Sequence, residues 1–449
     1  MRIAIVGAGI TGLGAAWLLA KRHDVTLFEA NERIGGHSNT VDVAAPEGTI
    51  PVDTGFIVYN ERSYPNLIAL FAHLGVATAE SNMSFAVSLD GGGYEYSGTG
   101  LAGMFAQRSN LLNLAHWRMT AEILRFHREA GALAADAGDP RLSLGGWLAA
   151  GRYSSVFIDR HILPMAAAIW SAPADKMLAF PAASFVRFFA NHGLLQAANQ
   201  PIWRTVVGGS RSYVGAILQD FRGEVRRGDP VVAVARGAGG VTLTTRSGRA
   251  GTFDRVALCC HGDEALALLA DANAAERQVL GAFRYSRNEA VLHTDEAWMP
   301  RRRAVWSSWN YLARDRTSPL VVTYWMNSLQ RLATTTNYFV TLNPSRPIAD
   351  AKKVAAFHYE HPLYDLAALE AQSAIWGLQG ARQTWFAGSY CGYGFHEDGL
   401  QAGLAVAEDM TRDAGPVRRP WTVASESGRL AIPAGWRSGA VAPEPAGAA

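Results

Sequence analysis

The sequence predicts an α/β fold in which a Rossmann-type nucleotide-binding domain is built from three discontinuous segments and carries an inserted, mixed α+β domain with a helical portion. Three observations predict it. The chain opens with a short apolar run, Arg2 to Val6, then Gly7, Gly9 and Gly12, then an Ala/Leu-rich stretch from about Leu13 to Arg22. That is the strand, turn and helix order that G-x-G-x-x-G requires. After a long helical and aromatic middle, alternating strand-like and helix-like stretches return near Val206. Trp385 to Gly388 then reads as a strand, with a helix starting near Asp398. The expected division is residues 1–80, 205–285 and 380–415 for the nucleotide-binding domain, 81–204 and 286–379 for the inserted substrate domain, and 416–449 for a C-terminal tail.

In the opening motif Gly7 allows the tight turn, Gly9 lets the backbone approach a pyrophosphate, and Gly12 lets helix and strand pack closely. Ala8, Ile10 and Thr11 lie between them, where backbone N–H groups at the helix N-terminus favour anions. A second strand, Asp24 to Phe28, ends at Glu29 and Ala30, about 20 residues beyond the first glycines. A carboxylate there accepts hydrogen bonds from both ribose hydroxyls and repels a 2′-phosphate, which argues against NADP. A Gly-rich turn in some other α/β domain would not place an acid at the end of the next strand. Arg33, Gly35, Gly36, His37 and Ser38 follow, and the second glycine pair lets another loop cross the pyrophosphate. This segment resembles the R-x-G-G-[RH]-[ST] stretch of the large flavoprotein class of amine oxidases, protoporphyrinogen oxidases and carotenoid desaturases, which implies FAD rather than NAD. His37 stands where an arginine usually follows the glycines, with Arg33 as the substitute for that phosphate contact.

The 449 residues are 49% hydrophobic and 18% charged, enough for two or three core-bearing units and ordinary for a globular protein. A net charge of +2 gives no electrostatic case for a nucleic-acid partner. Cys259, Cys260 and Cys391 cannot staple such a chain, which implies a reducing, cytoplasmic compartment. The apolar start reads as a nucleotide-binding strand rather than a signal peptide. No apolar run reaches the roughly 18 residues of a membrane span, which leaves peripheral contact with the inner face of a membrane. No metal site is expected. Lysine occurs only at Lys21, Lys176, Lys352 and Lys353, a bias that a GC-rich genome explains.

Along the chain, Thr40 to Val43 and Ile50 to Val52 read as strands around a Pro/Gly turn. They lead into Val52 to Asn60, which resembles the flavoprotein segment that passes along the flavin ring, with Gly55, Phe56 and Ile57 nearest it. A helix from Tyr64 to Leu74 and strands at Met83 to Leu89 and Tyr94 to Tyr96 follow. Leu112, Ala115, Met119, Ile123 and Phe126 recur at helical spacing, with Arg118, Arg125 and Arg128 off the stripe. A surface helix with a solvated face is the plain reading, and a basic amphipathic helix resting on an anionic membrane the alternative. Residues 163–195 are dense in Phe, Met, Trp and Leu, which suits the wall of an apolar pocket or a helical core. His192, before Gly193, is a buried-histidine candidate for the active site.

From Val206 the α/β pattern resumes with a helix Tyr213 to Phe221, strands at Glu224 and at Pro230 to Val234, and a hairpin-like pair, Val241 to Arg246 and Gly251 to Cys259. Asp254 to Leu258 reads as a further central strand. The resemblance places Val231 against the adenine. Strands are expected at Glu289 to His293, Ala304 to Trp309, Leu320 to Trp325 and Tyr338 to Leu342. Amine oxidases tend to carry a flavin-facing lysine in this region; Asn288 falls there instead, which counts against an amine oxidase. In the third segment Gly388, Ser389, Phe395, His396 and Leu400 match the flavin motif of the class. Ser389 replaces the usual acid, Phe395 falls where an aromatic stands beside the flavin, and the His396 amide where flavin O2 is contacted. Cys391 reads as a structural thiol rather than a covalent flavin anchor.

The blocks VDTGFIVYN, AAIWS, FFANHGLL, PIWRTVVGGS, SSWNY, VTYWMN and AGSYCGYGFHEDGLQAG look like a bacterial subfamily of NAD/FAD-binding proteins associated with cyclopropane-fatty-acid-synthase-like methyltransferases. One branch is similar to the methylated-fatty-acyl desaturase of furan fatty acid synthesis. The resemblance implies FAD, a lipid or fatty acyl substrate and a partner methyltransferase. The expected activity is dehydrogenation of a methyl-branched unsaturated acyl chain to a conjugated diene, with His192, Glu397 and Tyr59 as candidate bases. An amine-oxidase or carotenoid-desaturase activity, or a flavin-bearing accessory protein that binds lipid or a partner, are the alternatives.

Overall fold

The computed structural model describes residues 1–135, 139, 141–170, 174–195, 200–313, 321–423, 430–433 and 436. Ser171, Leu320 and Ala442 to Ala449, named above, lie outside the described residues.

The first segment runs through β1 (Arg2–Val6), α1 (Ile10–Leu19) and β2 (Asp24–Glu29). It continues with the hairpin β3 (Thr40–Ala45) and β4 (Gly48–Asp53), then β5 (Tyr59–Asn60), α2 (Pro65–Leu74) and β6 (Thr78–Glu80). The chain leaves it through β7 (Phe85–Leu89) and β8 (Tyr94–Ser97) into a helical block that includes the helices Leu114–Ala135, Leu163–Trp170 and Ala182–Asn191. It returns with β9 (Trp203–Val206), the helix Arg211–Asp220, β10 (Glu224–Arg227), β11 (Val231–Gly237), β12 (Gly240–Thr245), β13 (Ala250–Phe253) and β14 (Arg255–Leu258). A second excursion comprises β15 (Arg284–His293), β16 (Trp309–Ala313), β17 (Val321–Trp325), β18 (Phe339–Leu342) and β19 (Lys353–Leu363). Finally β20 (Thr384–Phe386) leads to the helix His396–Met410.

The nucleotide-binding domain is built on a parallel sheet of order β10-β2-β1-β14-β20, flanked by the antiparallel β11-β12-β13. β1 reads as an unbroken apolar run because Ile3, Ala4 and Ile5 are wholly buried between α1 and the antiparallel β11-β12-β13. All of α1 is buried, for it lies between that sheet and the helix His396–Met410. Small residues set this close approach: a Cβ on Gly403 would stand 2.2 Å from the Thr11 carbonyl oxygen. The second sheet domain is one mixed sheet, β19-β15-β18-β17-β16-β7-β8, whose core merges with that of the helical block. The small sheet β5-β9-β6 joins strands of the first segment to the start of the second.

Several boundaries differ from the sequence reading. The first helix starts at Ile10, so the phosphate-facing turn is tighter than a start at Leu13 implies. The expected strand Gly251 to Cys259 breaks at Asp254, since β13 pairs with β12 while β14 enters the parallel sheet. Around Ala304 the chain forms a 3-10 turn, Arg303–Val305, and strand pairing begins only at Trp309. β19 was not anticipated, although it pairs with β15 from Arg284 to His293. Leu112 is off the stripe assigned to it: it ends a 3-10 turn and is 90% exposed, whereas Met119 and Phe126 are buried as expected. The expected tail is in part a packed segment, with Val417 and Leu430 buried in the core of the nucleotide-binding domain and Trp421 and Trp436 against it.

Candidate active site

The β1–α1 turn has the shape its glycines allow. Gly7 has φ +101°, and a Cβ on Gly12 would lie 1.8 Å from the Gly7 carbonyl oxygen, so any side chain there would separate strand from helix. Gly9 is the N-cap of α1, no side chain caps that helix, and a Cβ on Gly9 would meet nothing within 4 Å. The helix N-terminus therefore faces an open cradle. Gly36 crosses over it, its own Cβ position 3.1 Å from Gly9 Cα, and Gly35 N donates to Ala8 O at 2.9 Å. Glu29 closes the far side. Its Oε2 accepts from Ala8 N at 2.9 Å, and its Oε1 from the backbone and side-chain nitrogens of Asn31. Ala30 follows it at the end of β2. At Val231 the β11 register shifts before Ala233, which takes backbone groups out of the ladder where adenine contact is expected.

Two expectations for the second loop change. Arg33 directs its guanidinium at the loop itself, to Ser38 O at 2.9 Å and Gly36 O at 2.7 Å, so it braces the loop instead of standing in for the usual arginine. His37 is buried 5.0 Å from Tyr359 and 5.4 Å from His361, ring to ring. Burial first, and the neighbouring histidines second, push its pKa well below the usual range, so it is a neutral ring and no phosphate cation.

Ser38, Phe56 and His396 converge. The His396 ring stacks on Phe56 at 3.7 Å, and its Nε2 lies 3.0 Å from Ser38 Oγ and 3.2 Å from the Tyr213 hydroxyl, which also bonds Ser38. Burial lowers the His396 pKa to about 3. Gly55 fits under the same loop, where a Cβ would meet His37 O at 2.2 Å, and Phe56 N donates to that oxygen. The Ile57 carbonyl accepts from Thr205 Oγ1. Gly388, two residues beyond β20, precedes a 3-10 turn that begins at Ser389, whose carbonyl accepts from Gly394 N. Leu400 is fully buried beside Gly14 of α1, a packing role rather than a cofactor contact.

Of the candidate bases, His192 is the one whose ring packs near Phe395. Its ring stacks on Phe188 at 3.9 Å and lies 5.6 Å from Phe395, with Tyr64 and Trp203 on its other sides. Nδ1 is 3.0 Å from the Phe188 carbonyl oxygen, so Nδ1–H donates and Nε2 is the basic atom. Glu397 is corrected to a structural role: one carboxylate oxygen accepts from Asn66 N and Nδ2, the other from Leu67 N, capping α2. Tyr59 is likewise a packing residue, edge-on to Tyr64 and Phe71 in the core. Asn288 lies 2% exposed on β15, and its Nδ2 donates to His361 Nδ1 at 2.9 Å while its Oδ1 accepts from Asn343. His361 thus carries its proton on Nε2, and burial together with His261 lowers its pKa to about 4. Sequence reasoning missed His361 and Tyr213. The only signal was register: β19 places His361 opposite Ser286, two residues from Asn288.

The family model for flavin-containing amine oxidoreductases matches residues 10–411. The chain belongs to that family. The chain is 28% identical over 267 residues to the protein named flavin-containing monoamine oxidase AofH in Mycobacterium tuberculosis, covering 55% of this chain and 54% of that one. It thus spans about half the length of that curated relative. A 4,4'-diapophytoene desaturase of Staphylococcus haemolyticus is 65% identical over 37 residues, 8% of this chain and 7% of that one. Two solved structures share the fold: putrescine oxidase bound to putrescine (TM-score 0.66, 16% identity, 92% of this chain and 99% of that one) and a CLA-producing fatty acid isomerase from P. acnes (TM-score 0.67, 15% identity, 92% and 98%). Membership of this flavin-containing oxidoreductase family points to FAD, and the open cradle at Gly9 with Glu29 at its edge fits FAD. Among the described residues no cluster of His, Cys, Asp and Glu could hold a metal, and no helix is long and apolar enough to cross a membrane.

Proposed function

We propose that the protein dehydrogenates a methyl-branched, unsaturated acyl chain, esterified in a phospholipid, to a conjugated diene. One observation carries this reading: Phe395 is walled by the rings of Phe188 and His192, with Tyr64 and Trp203 behind His192, and the carboxylates beside it are engaged, Asp398 by the Phe395 N–H and Glu397 by the backbone of α2. Such a wall suits a chain of methylene groups, which needs area and no counter-charge. FAD, when bound, supplies the acceptor for the hydride that leaves an allylic carbon. His192 is the group placed to take the neighbouring proton, at Nε2, and its stacked, buried ring excludes water. Ser38, Tyr213 and Phe56 fix the His396 side chain, and with it the first turn of the helix His396–Met410, whose dipole favours developing negative charge. A methyl-branched substrate requires an enzyme that installs the branch, so a methyltransferase is the implied upstream partner.

A second reading, amine oxidation, draws on the stacked Phe188 and Phe395 rings, 5.1 Å apart, and on the activity named for the monoamine oxidase relative. Anaerobic mixing of the yellow holoprotein with methyl-branched monounsaturated phospholipid separates the two. Bleaching of the flavin band with appearance of a diene supports desaturation. Bleaching by amines and by no lipid overturns it in favour of the second reading.

A further inference from the structure

Residues 98–121 contain no Asp or Glu, and the most exposed large apolar side chains of the described residues gather there. Leu112 is 90% exposed, Leu114 85% and Leu101 73%, with Leu111 and Trp117 about half exposed. They project from the short helix Gly100–Met104, the 3-10 turn Arg108–Leu112 and the first turn of the helix Leu114–Ala135. The turn is built to hold them outward. Buried Asn110 donates to Glu95 O at 3.0 Å, Gln107 accepts from Glu95 N at 2.6 Å, Asn113 Oδ1 caps Ala115 and His116, and Trp117 Nε1 donates to Leu111 O at 3.0 Å.

Charge chooses the occupant. Arg108 and Arg118 are exposed on this stretch, and the nearest acids in sequence are buried and engaged, although Arg118 Nε also lies 3.6 Å from Glu122 Oε1, a partly open pair that leaves the Arg118 side chain 63% exposed. Glu95 accepts from Ser88, from the backbone of Arg301 and Arg302 and from the Arg302 guanidinium; Glu122 accepts from Ser154. A second copy docking about a two-fold axis would bring the same cations against each other. A surface of phosphates would not. Protruding leucines with a tryptophan and arginines at their margin have the composition of a helix-turn that lies in a bilayer interface.

We infer that this face docks on an anionic phospholipid bilayer, with Leu101, Leu112, Leu114 and Trp117 entering the interface and Arg108 and Arg118 at the headgroup phosphates. The inner side of the same helix leads towards the site. Phe126 packs 6.2 Å from Phe189 on the helix Ala182–Asn191, whose Phe188 stacks on Phe395. Docking accords with a lipid substrate and stands without it, because partitioning is read without turnover.

The test is co-sedimentation of holoenzyme with vesicles of phosphatidylcholine alone or mixed with phosphatidylglycerol, at low and high salt. The wild type is expected to bind the mixed vesicles and to be released by salt. L112E/L114E is expected to weaken binding at least about tenfold, and R108Q/R118Q to abolish the preference for phosphatidylglycerol. Both should keep the flavin spectrum and unfolding midpoint of the parent. No binding of the wild type to either vesicle, or binding that neither variant alters, overturns the inference. So does a wild-type dimer that L112E/L114E disperses in the absence of vesicle binding. Flavin reduction by detergent-dispersed phospholipid tests the desaturase reading separately.

Discussion

Glu397 and His192 are both buried near Phe395, and their partners give them opposite roles. In Glu397→Gln the new amide would turn N–H groups towards the N–H of Asn66 or Leu67, a clash that costs about 1–3 kcal/mol. The expected result is a lower unfolding midpoint with flavin reduction per folded site nearly unchanged, measured by thermal unfolding and anaerobic stopped flow. His192→Gln should do the reverse, slowing reduction by about 10²–10⁴ at similar stability. Histidine burial also fixes the acid response. His161 and His396 have pKa values lowered to about 3 and His361 to about 4, each first by burial, from an ordinary 6.5. Their stabilising contribution is complete above pH 6.5 and is lost as pH falls, because the unfolded chain takes up protons that the fold refuses. Asp53 opposes this: burial raises its pKa to about 6, so protonating it favours the fold as pH drops. Between pH 6.5 and 5 each histidine loses about 2 kcal/mol and Asp53 returns about 1 kcal/mol, so the histidines win. The melting temperature should fall steeply across that window. His396→Gln should flatten the fall, and a slope indifferent to that change would refute the argument.

Among the elements, the cluster of Arg236, Asp271, Glu276 and Arg382, buried at Arg236 and Glu276 and open to solvent at Arg382, ties β11 to the helix Ala274–Leu280 and to the turn before β20. Arg236 is fully buried and bonds Asp271 at 2.8 Å and both oxygens of Glu276, while Arg382 bonds Asp271 from the other side. Removing one partner of such a pair strands a charge. Arg236→Ala should cost about 3–5 kcal/mol in urea unfolding, and Arg236→Met with Glu276→Leu much less. If the single and double changes cost the same, the cluster is not acting as a pair. None of this was legible in the sequence, because arginine and acid lie far apart in the chain. What was legible is what repeats locally: the apolar run of β1, the glycine spacing after it, and the acid ending β2. β19 was not, because the alternation of Ala355, Phe357 and Tyr359 in KVAAFHYEHPL is blurred by Val354, His361 and Pro362, the strand keeps Lys353 and Val354 exposed, and it takes its order from β15. Asn288 is singled out in the sequence as standing where amine oxidases tend to carry a lysine, while its bond to His361 depends on that unseen strand.

Across the whole molecule, the segment beyond residue 412 reads as tail in sequence because each of its anchors is a single residue with no period. In the fold those anchors converge on Asn66. Its Oδ1 accepts from Arg419 Nη1 at 2.8 Å and Trp421 Nε1 at 3.2 Å, while its N–H groups bond Glu397. Trp421 also stacks on Trp17 of α1 at 5.7 Å, and Arg419 pairs with Glu408 at 3.1 Å. One amide therefore links α2, the helix His396–Met410 and the returning chain, beside the turn that carries Phe395 and His396. Ending the chain after Ala414 would bare the Trp17 face and leave Glu408 and Asn66 Oδ1 without these donors. Loss of one large packed ring alone costs about 3–5 kcal/mol. The shortened protein should unfold at a clearly lower temperature and release FAD at lower urea than the full chain, and Trp421→Ala should reproduce much of both effects. Were the shortened protein to keep the parent's unfolding curve and hold FAD as tightly, the link through Asn66 would carry no stability, and the flavin end of the helix His396–Met410 would be held by Ser38, Tyr213 and Phe56 alone.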